Sequence, residues 1–371
     1  MKILILGGYG NAGITITKLL LQYTSEKLII SGRNLTKAES ISKQLNSEFN
    51  TNRVSAAKID ASNKINMETA FNDVNLVIVA SSTIEYSKNV IDTAINARID
   101  YFDLQLSSDI KLDYLRMKKD EITTKGLCFI TDGGFHPGLP AAMVRYSAKE
   151  FDEIYSAKVY SYLNINWGKY QFSPSTGREM IDEFNNYNPK IFFEGEWKKN
   201  KWSEYKKFDF GNSIGKQFVA LMMLEEMKNL PEEFPTLKET GFFIGGFNWF
   251  VNYISIPFAM VCLKISKSLF VKPAVKVFEF GLKKFSKPPF ICTNKLKAAG
   301  IKNSKRKTLQ IEISHSDGYF LTAAPVAACL LQYLDGSVRE PGLHFQANAV
   351  EPERFFNDLK IMGIDVTVKE K

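Results

Sequence analysis

The chain has 371 residues, with 48 Lys+Arg against 40 Asp+Glu for a formal charge of +8, and 45% hydrophobic and 24% charged residues. That balance excludes a disordered tail protein, a collagen-like repeat and a polytopic membrane protein. The length fits two domains, each large enough to bury a core without staples.

Taken in chain order, the run Met1-Lys2-Ile3-Leu4-Ile5-Leu6 turns into glycines at once, so it reads as a buried strand rather than a signal peptide. A cytoplasmic chain is expected. Residues 1 to about 135 alternate short apolar runs with amphipathic stretches, the pattern of parallel strands joined by crossover helices. Strands are predicted at Lys2–Leu6, Lys27–Ser31, Val54–Lys58, Leu76–Ala80, Tyr101–Leu104 and Leu127–Thr131. Their carboxyl ends would form the ligand crevice.

Directly after the first strand stands Gly8-Tyr9-Gly10-Asn11-Ala12-Gly13, followed by a helical segment Ile14–Tyr23. In a G-x-G-x-x-G loop, Gly8 would permit the tight turn and Gly10 would let backbone approach a pyrophosphate. Gly13 would let the helix pack on the strand, and the helix N-terminus would supply N–H groups to the anion. A strand before the loop and a helix after it favour dinucleotide binding over a bare glycine turn. An NAD site usually carries Asp or Glu about twenty residues on. Here Ser31-Gly32-Arg33-Asn34 stands instead. No carboxylate would repel a 2′-phosphate, and Arg33 can grip it with a planar fork, so NADP is expected ahead of NAD. Asp60 would lie near the adenine amino group, and the small Ala80-Ser81-Ser82 would let the ribose and nicotinamide pass. A competing Tyr-x-x-x-Lys, Tyr114 to Lys118, has Ser107 and Ser108 too close to complete a short-chain dehydrogenase site, and reads as a chance match on a solvated crossover helix Leu112–Lys125.

From about Phe151 the composition shifts to mixed aromatic and polar strands. Ala157–Asn166 and Thr308–Ser314 alternate, while Thr176–Phe184 and Ser213–Lys228 read as helices, giving a mixed sheet with helices on one face. Trp167, Trp197 and Trp202 read as core or interface aromatics. No aromatic and basic interleaving argues for nucleic acid. Gly241–Leu263 carries no charge, and a basic block follows from Lys264 to Lys307 with Glu279 as its single acid. A true span is disfavoured by Gly245-Gly246, Asn248, Asn252 and Pro257. The stretch reads as a helix buried in the fold or in a homodimer, with peripheral membrane contact through residues 241–287 as the second reading.

The four cysteines, Cys128, Cys262, Cys292 and Cys329, are scattered, and the histidines are His136, His315 and His344. No metal site and no disulfide scaffold is expected. His136, in the turn Asp132–Pro140, could move a proton or simply bond backbone. Asp103 could orient a substrate amine or a water, or cap a helix. Tyr319 and Thr322 could bond nicotinamide or substrate, although Thr322 with Pro325 is better read as a helix start. Arg178 and Lys169 could bind a carboxylate but read more simply as surface charge.

Several patches come in one order: the glycine loop, Ser31-Gly32-Arg33-Asn34, Asp100-Tyr101-Phe102-Asp103-Leu104 and Gly134-Phe135-His136-Pro137-Gly138-Leu139-Pro140. Asp317-Gly318-Tyr319-Phe320-Leu321-Thr322-Ala323-Ala324-Pro325 and Leu334-Asp335-Gly336 close the series. In this the chain resembles the saccharopine dehydrogenase-like reductases. The resemblance implies an α/β fold: a Rossmann domain whose chain leaves after the Pro-Gly turn, builds an α+β domain, and returns. The boundaries expected are 1–145 plus about 318–371 for the dinucleotide domain and 146–317 for the substrate or dimerisation domain. It also implies an NAD(P)-dependent hydride transfer on a C–N bond or similar group of a small substrate, with amino acid derivatives among the candidates. The substrate is expected where the crevice of the first domain meets the second domain. The alternative is a dinucleotide-binding protein without turnover, held at a membrane surface.

Overall fold

The computed structural model describes residues 1–170, 174–185, 187, 189–199, 206–211 and 214–370. Trp202 and Ser213 lie outside them. The first elements are β1 (Lys2–Leu6), α1 (Asn11–Tyr23), β2 (Lys27–Gly32), α2 (Leu35–Glu48), β3 (Val54–Lys58), α3 (Lys64–Phe71), β4 (Leu76–Val79), α4 (Ser87–Ala97) and β5 (Asp100–Asp103). They continue with α5 (Asp109–Met117), α6 (Lys119–Thr124), β6 (Cys128–Thr131), α7 (Pro140–Ala148), β7 (Glu153–Asn164), α8 (Pro174–Asn185), β8 (Lys190–Phe193), β9 (Glu196–Lys199), β10 (Lys206–Asp209) and β11 (Lys216–Met222). Last come α9 (Leu230–Glu233), β12 (Glu239–Gly245), α10 (Ile256–Ile265), α11 (Lys267–Phe285), β13 (Ile291–Lys302), β14 (Lys305–His315), α12 (Gly318–Leu334), β15 (Gly342–Phe345), α13 (Gln346–Ala349), α14 (Pro352–Ile361) and β16 (Asp365–Glu370).

Two compact units divide the chain, Met1–Ala142 with Tyr319–Ile364, and Met143–Gly318 with Asp365–Lys371. In the first, seven strands run in the order β15-β6-β5-β4-β1-β2-β3, and every pairing is parallel. Strands buried on both faces need continuous apolar runs, and Ile3, Leu4, Ile5, Val77 and Ile78 supply them at no exposure. Reading from β3, the order reverses direction between β1 and β4, which opens the ligand crevice of a doubly wound sheet. All six strands expected from the sequence are present, with ends moved by a residue at most.

The second unit is built on a mixed sheet in which β12 and β7 are parallel and the neighbouring pairs are antiparallel. It departs from the sequence expectation in three places. The segment Ser213–Lys228, expected as a helix, carries strand β11, with Val219 and Leu221 buried between β10 and β12. Its Ala, Leu and Met content favours a helix locally, and pairing on both sides overrides that weak preference. The uncharged stretch Gly241–Leu263 is not one helix either. Its first five residues belong to β12, where Phe242 and Phe243 are buried, and the rest turns helical after Gly246, whose φ is +107°. The C-terminal strand β16 pairs with β14, so Asp365–Glu370 joins the second sheet rather than the first unit, where it was expected. Trp167 is buried, and Trp197 meets Phe192 edge to face.

A further correction concerns Thr322. The helix starts at Gly318, so Thr322 lies inside α12 and does not cap it, and Pro325 is interior. Leu321, Ala323, Ala324, Val326, Ala327, Ala328 and Leu330 are all buried, and that packing carries the helix through the missing N–H of the proline.

Candidate functional site

The carboxyl end of β1 is made by the absence of side chains. Gly7, at φ +83°, takes the left-handed turn that the G-x-G-x-x-G pattern assigns to Gly8. A Cβ on Gly7 would stand 2.7 Å from Ser81 Cβ and 2.8 Å from the Ala80 carbonyl oxygen, so only glycine passes beside β4 there. Gly8 is pressed on Ile30 of β2 instead. Gly13 is held tightest, since a Cβ would lie 2.5 Å from the Gly7 carbonyl oxygen and 2.7 Å from Gly8 Cα. The turn is tied by Gly10 N donating to Gly7 O at 2.9 Å and by Gly7 N and Gly8 N donating to Ser31 O at 2.9 and 3.0 Å. Gly10 caps α1 without any side-chain bond, leaving the first-turn N–H groups beside Asn11 and Ala12 for a ligand. This cradle fits a dinucleotide pyrophosphate.

At the end of β2, Tyr9 folds over Gly32: a Cβ there would meet the Tyr9 ring at 2.5 Å. Asn34 N donates to Tyr9 Oη at 3.2 Å, Asn34 caps α2 by accepting from Lys37 N at 3.0 Å, and Lys37 Nζ sits 5.2 Å from the Tyr9 ring centroid. Ser31 is buried and donates to Ile5 O, so it shapes the strand end. Arg33 is exposed beside them. Asp60 accepts from Ser62 N and Oγ, and these bonds, with lesser help from Arg33 and Lys58, hold its carboxyl below the usual range. The sequence-selected residues Gly8 to Gly13, Ser31, Arg33, Asn34, Asp60, Ala80 and Ser81 therefore share the rim formed by β1, β2, β3 and β4, and Ser82 follows them, half-buried.

The ends of β5 and β6 are built differently, from buried charge. Lys111, on α5, is fully buried and donates to Asp103 Oδ1 at 2.8 Å, Asp132 Oδ1 at 2.9 Å and Gln105 O at 2.9 Å. Thr131 donates to Asp103 Oδ2 at 2.6 Å, Gln105 N to Asp103 Oδ1 at 3.0 Å, and Ser107 Oγ to Asp132. Burial alone would lower the Lys111 ammonium, but Asp103 and then Asp132 hold it above its ordinary value. Burial also raises the Asp132 carboxyl against the pull of Lys111. Asp103 thus faces protein donors at both oxygens. Gln105 carries the network to β4, its Nε2 donating to Ser81 O at 2.9 Å.

Beyond β6, the Gly134–Pro140 turn is clamped by Gln346 of α13. Gln346 Oε1 accepts from Gly134 N at 3.2 Å, and its Nε2 donates to Gly138 O at 3.3 Å. A Cβ on Gly138, at φ +116°, would strike Gly134 O at 2.5 Å. His136 precedes a cis proline within this turn and packs edge to face on Phe135. The residue is half-buried with its Nδ1 out of solvent, and burial pushes its pKa down to about 4, so it is neutral near pH 7. Tyr319 is half-buried in the first turn of α12. Arg178 and Lys169 are exposed.

The Tyr114 to Lys118 pair is no acid/base couple. Desolvation and the bond to Asp92 at 2.7 Å raise the Tyr114 hydroxyl, the opposite of what a proton donor at neutral pH requires, and Lys118 is engaged by Glu121 at 2.9 Å. Sequence reading missed Lys111, Gln105 and Gln346. For Lys111 a signal existed, because it falls four residues before Leu115 on the buried face of α5. Asp100 in the quoted patch is structural, accepting from Tyr333 Oη at 2.5 Å and Arg339 Nε at 3.0 Å.

Comparison with known proteins agrees with this geometry. Residues 3–127 match the family model described as saccharopine dehydrogenase NADP binding domain. Carboxyaminopropylagmatine dehydrogenase from Synechocystis is 20% identical over 392 residues, covering 98% of this chain and 96% of that protein. Among solved structures, apo saccharopine dehydrogenase (L-Glu forming) from Saccharomyces cerevisiae superposes with a TM-score of 0.71 at 14% identity, over 100% of this chain and 99% of that one. The fold likeness therefore runs through both units.

Proposed function

We propose that this chain, a saccharopine dehydrogenase-like oxidoreductase with an NADP-binding domain of that family, is selective for NADPH over NADH and acts on a small nitrogen-bearing substrate derived from an amino acid. The observation that carries the cofactor choice is the end of β2, where Ser31-Gly32-Arg33-Asn34 offers an exposed guanidinium and no carboxylate. The glycine turn and the first turn of α1 would hold the pyrophosphate, Arg33 the 2′-phosphate, and the small residues Ala80 to Ser82 would line the way to the nicotinamide. When bound, the nicotinamide supplies the hydride chemistry. The protein's part is to orient and to exclude water. His136, neutral at working pH, is our candidate for holding a proton at the substrate, with Tyr319 as a hydrogen-bond donor. Asp103 acts through Lys111 to set the β5 end. The relatives are named for saccharopine and carboxyaminopropylagmatine, both nitrogen-bearing, which supports that class.

Arg33→Glu tests the reading. NADPH affinity should fall by about tenfold to a hundredfold, roughly 1.4 to 2.8 kcal/mol, while NADH affinity holds or improves. Equal effects on both cofactors, followed by nicotinamide fluorescence, would remove Arg33 from the 2′-phosphate.

A further inference from the structure

Unit two carries an apolar surface that the oxidoreductase reading leaves unused. A π-helical turn, Val251–Ser255, leads into α10, and α11 folds back against it. The hairpin is closed firmly. A Cβ on Gly281 would lie 2.7 Å from the Phe250 ring and 3.0 Å from Val251, and Asn248 Nδ2 donates to Gly281 O at 3.0 Å. Val251, Ser255, Ala259 and Leu263 form the buried row of the first arm. On its opposite side Trp249, Tyr253, Pro257, Val261 and Ile265 recur every fourth residue, all exposed. This helix is apolar on both faces and only one is covered by described residues. A soluble helix is normally polar on its open face. Trp249, Tyr253, Val261, Ile265, Leu269 and Phe280 are 54% to 72% exposed, and on α11 Leu269 and Phe280 share the open face with Lys272, Lys276, Lys283 and Lys284.

We propose that this hairpin docks on an anionic phospholipid surface. The sixteen residue-to-residue steps from Trp249 to Ile265 give a stripe about 24 Å long at 1.5 Å per step, lying in the plane of the interface. No helix among the described residues is long and apolar enough to cross a membrane. Trp249 and Tyr253 are the side chains that settle at headgroup level. The charge chooses between lipid and a second copy of the chain. Residues 249–287 hold seven lysines and one acid, Glu279, which Lys283 already engages at 2.7 Å. An isologous dimer would bring this basic face against itself without acids to answer it. Anionic headgroups answer it directly, and the apolar stripe then enters the acyl boundary.

The test uses the full chain and sedimentation with vesicles, either of phosphatidylcholine alone or of equal phosphatidylcholine and phosphatidylglycerol. Binding is expected to the anionic vesicles, at least tenfold weaker to the neutral ones, and weakened by high salt. Val261→Glu with Ile265→Glu should abolish it. Lys276→Glu with Lys284→Glu, in which no apolar residue changes, should reduce it more than tenfold. NADPH binding by both variants should match the unaltered protein. Failure to bind either vesicle overturns the proposal, as does equal binding to both. A concentration-dependent dimer in sedimentation velocity that Val261→Glu dissolves also overturns it, since a second copy would then cover the face.

Discussion

At the β1 end of the parallel sheet the crevice is made by leaving side chains out, whereas at the β5 and β6 ends it is made by burying charged ones. Gly7, Gly8 and Gly13 each exclude a Cβ by contact with backbone or a neighbouring side chain. Lys111, Asp103 and Asp132 instead satisfy one another out of water. The first device is rigid because nothing larger fits, at the cost of the backbone entropy its glycines lose on folding. The second is rigid because each member depends on the others, and removing one leaves the rest desolvated. The glycine end therefore tolerates no addition, and the charged end tolerates no subtraction.

The largest expected effect falls on the charged end. Lys111→Met should lower folding stability by about 3–5 kcal/mol, read by urea unfolding, because two buried carboxylates lose their shared ammonium. A loss under about 1 kcal/mol would put the two ends on the same footing. His136 gives a pH handle on the adjoining turn. Its folded pKa, about 4, lies below the ordinary 6.5, so the unfolded chain binds the proton first as pH falls. The stability it contributes is complete above pH 6.5 and is lost as pH drops through that window. The loss is roughly 2–3 kcal/mol once the residue's partial exposure is allowed for. His136→Asn should flatten that limb of the stability–pH curve, and an unchanged limb would mean the ring titrates normally.

Gly13→Ala probes the other end. Its methyl has no room beside the Gly7 carbonyl, so NADPH affinity should fall at least tenfold, about 1.4 kcal/mol, in a fluorescence titration. Retained affinity would show that the turn can shift without cost. The smallest effect is expected at Tyr114→Phe, which removes one bond to Asp92 and should cost about 1 kcal/mol or less while turnover stays intact. A collapse of turnover would revive the Tyr-x-x-x-Lys reading.

The same contrast explains what could be read in advance. The glycine loop and the six strands were legible because each rests on constraints within a few neighbouring residues: a turn needs φ > 0, and a doubly covered strand needs an unbroken apolar run. The shift of the turn from Gly8 to Gly7 was not legible, because both are glycines and only the neighbouring β4 distinguishes them. Lys111 and Gln346 were missed because their partners come from other strands, Gln346 acting across 212 residues on Gly134.

By itself the sequence determined the doubly wound dinucleotide unit, the resemblance to saccharopine dehydrogenase-like reductases and the basic charge that follows residue 264. Those properties are sums of local preferences and composition, which the chain carries whether folded or not. Only the tertiary structure decided that Ser213–Lys228 contains a strand, that Thr322 lies within α12, and that Gly241–Leu263 divides between β12 and a hairpin with an apolar face that no described residue covers. In each case the local preference is worth a fraction of a kcal/mol per residue, and burial against partners distant in sequence outweighs it.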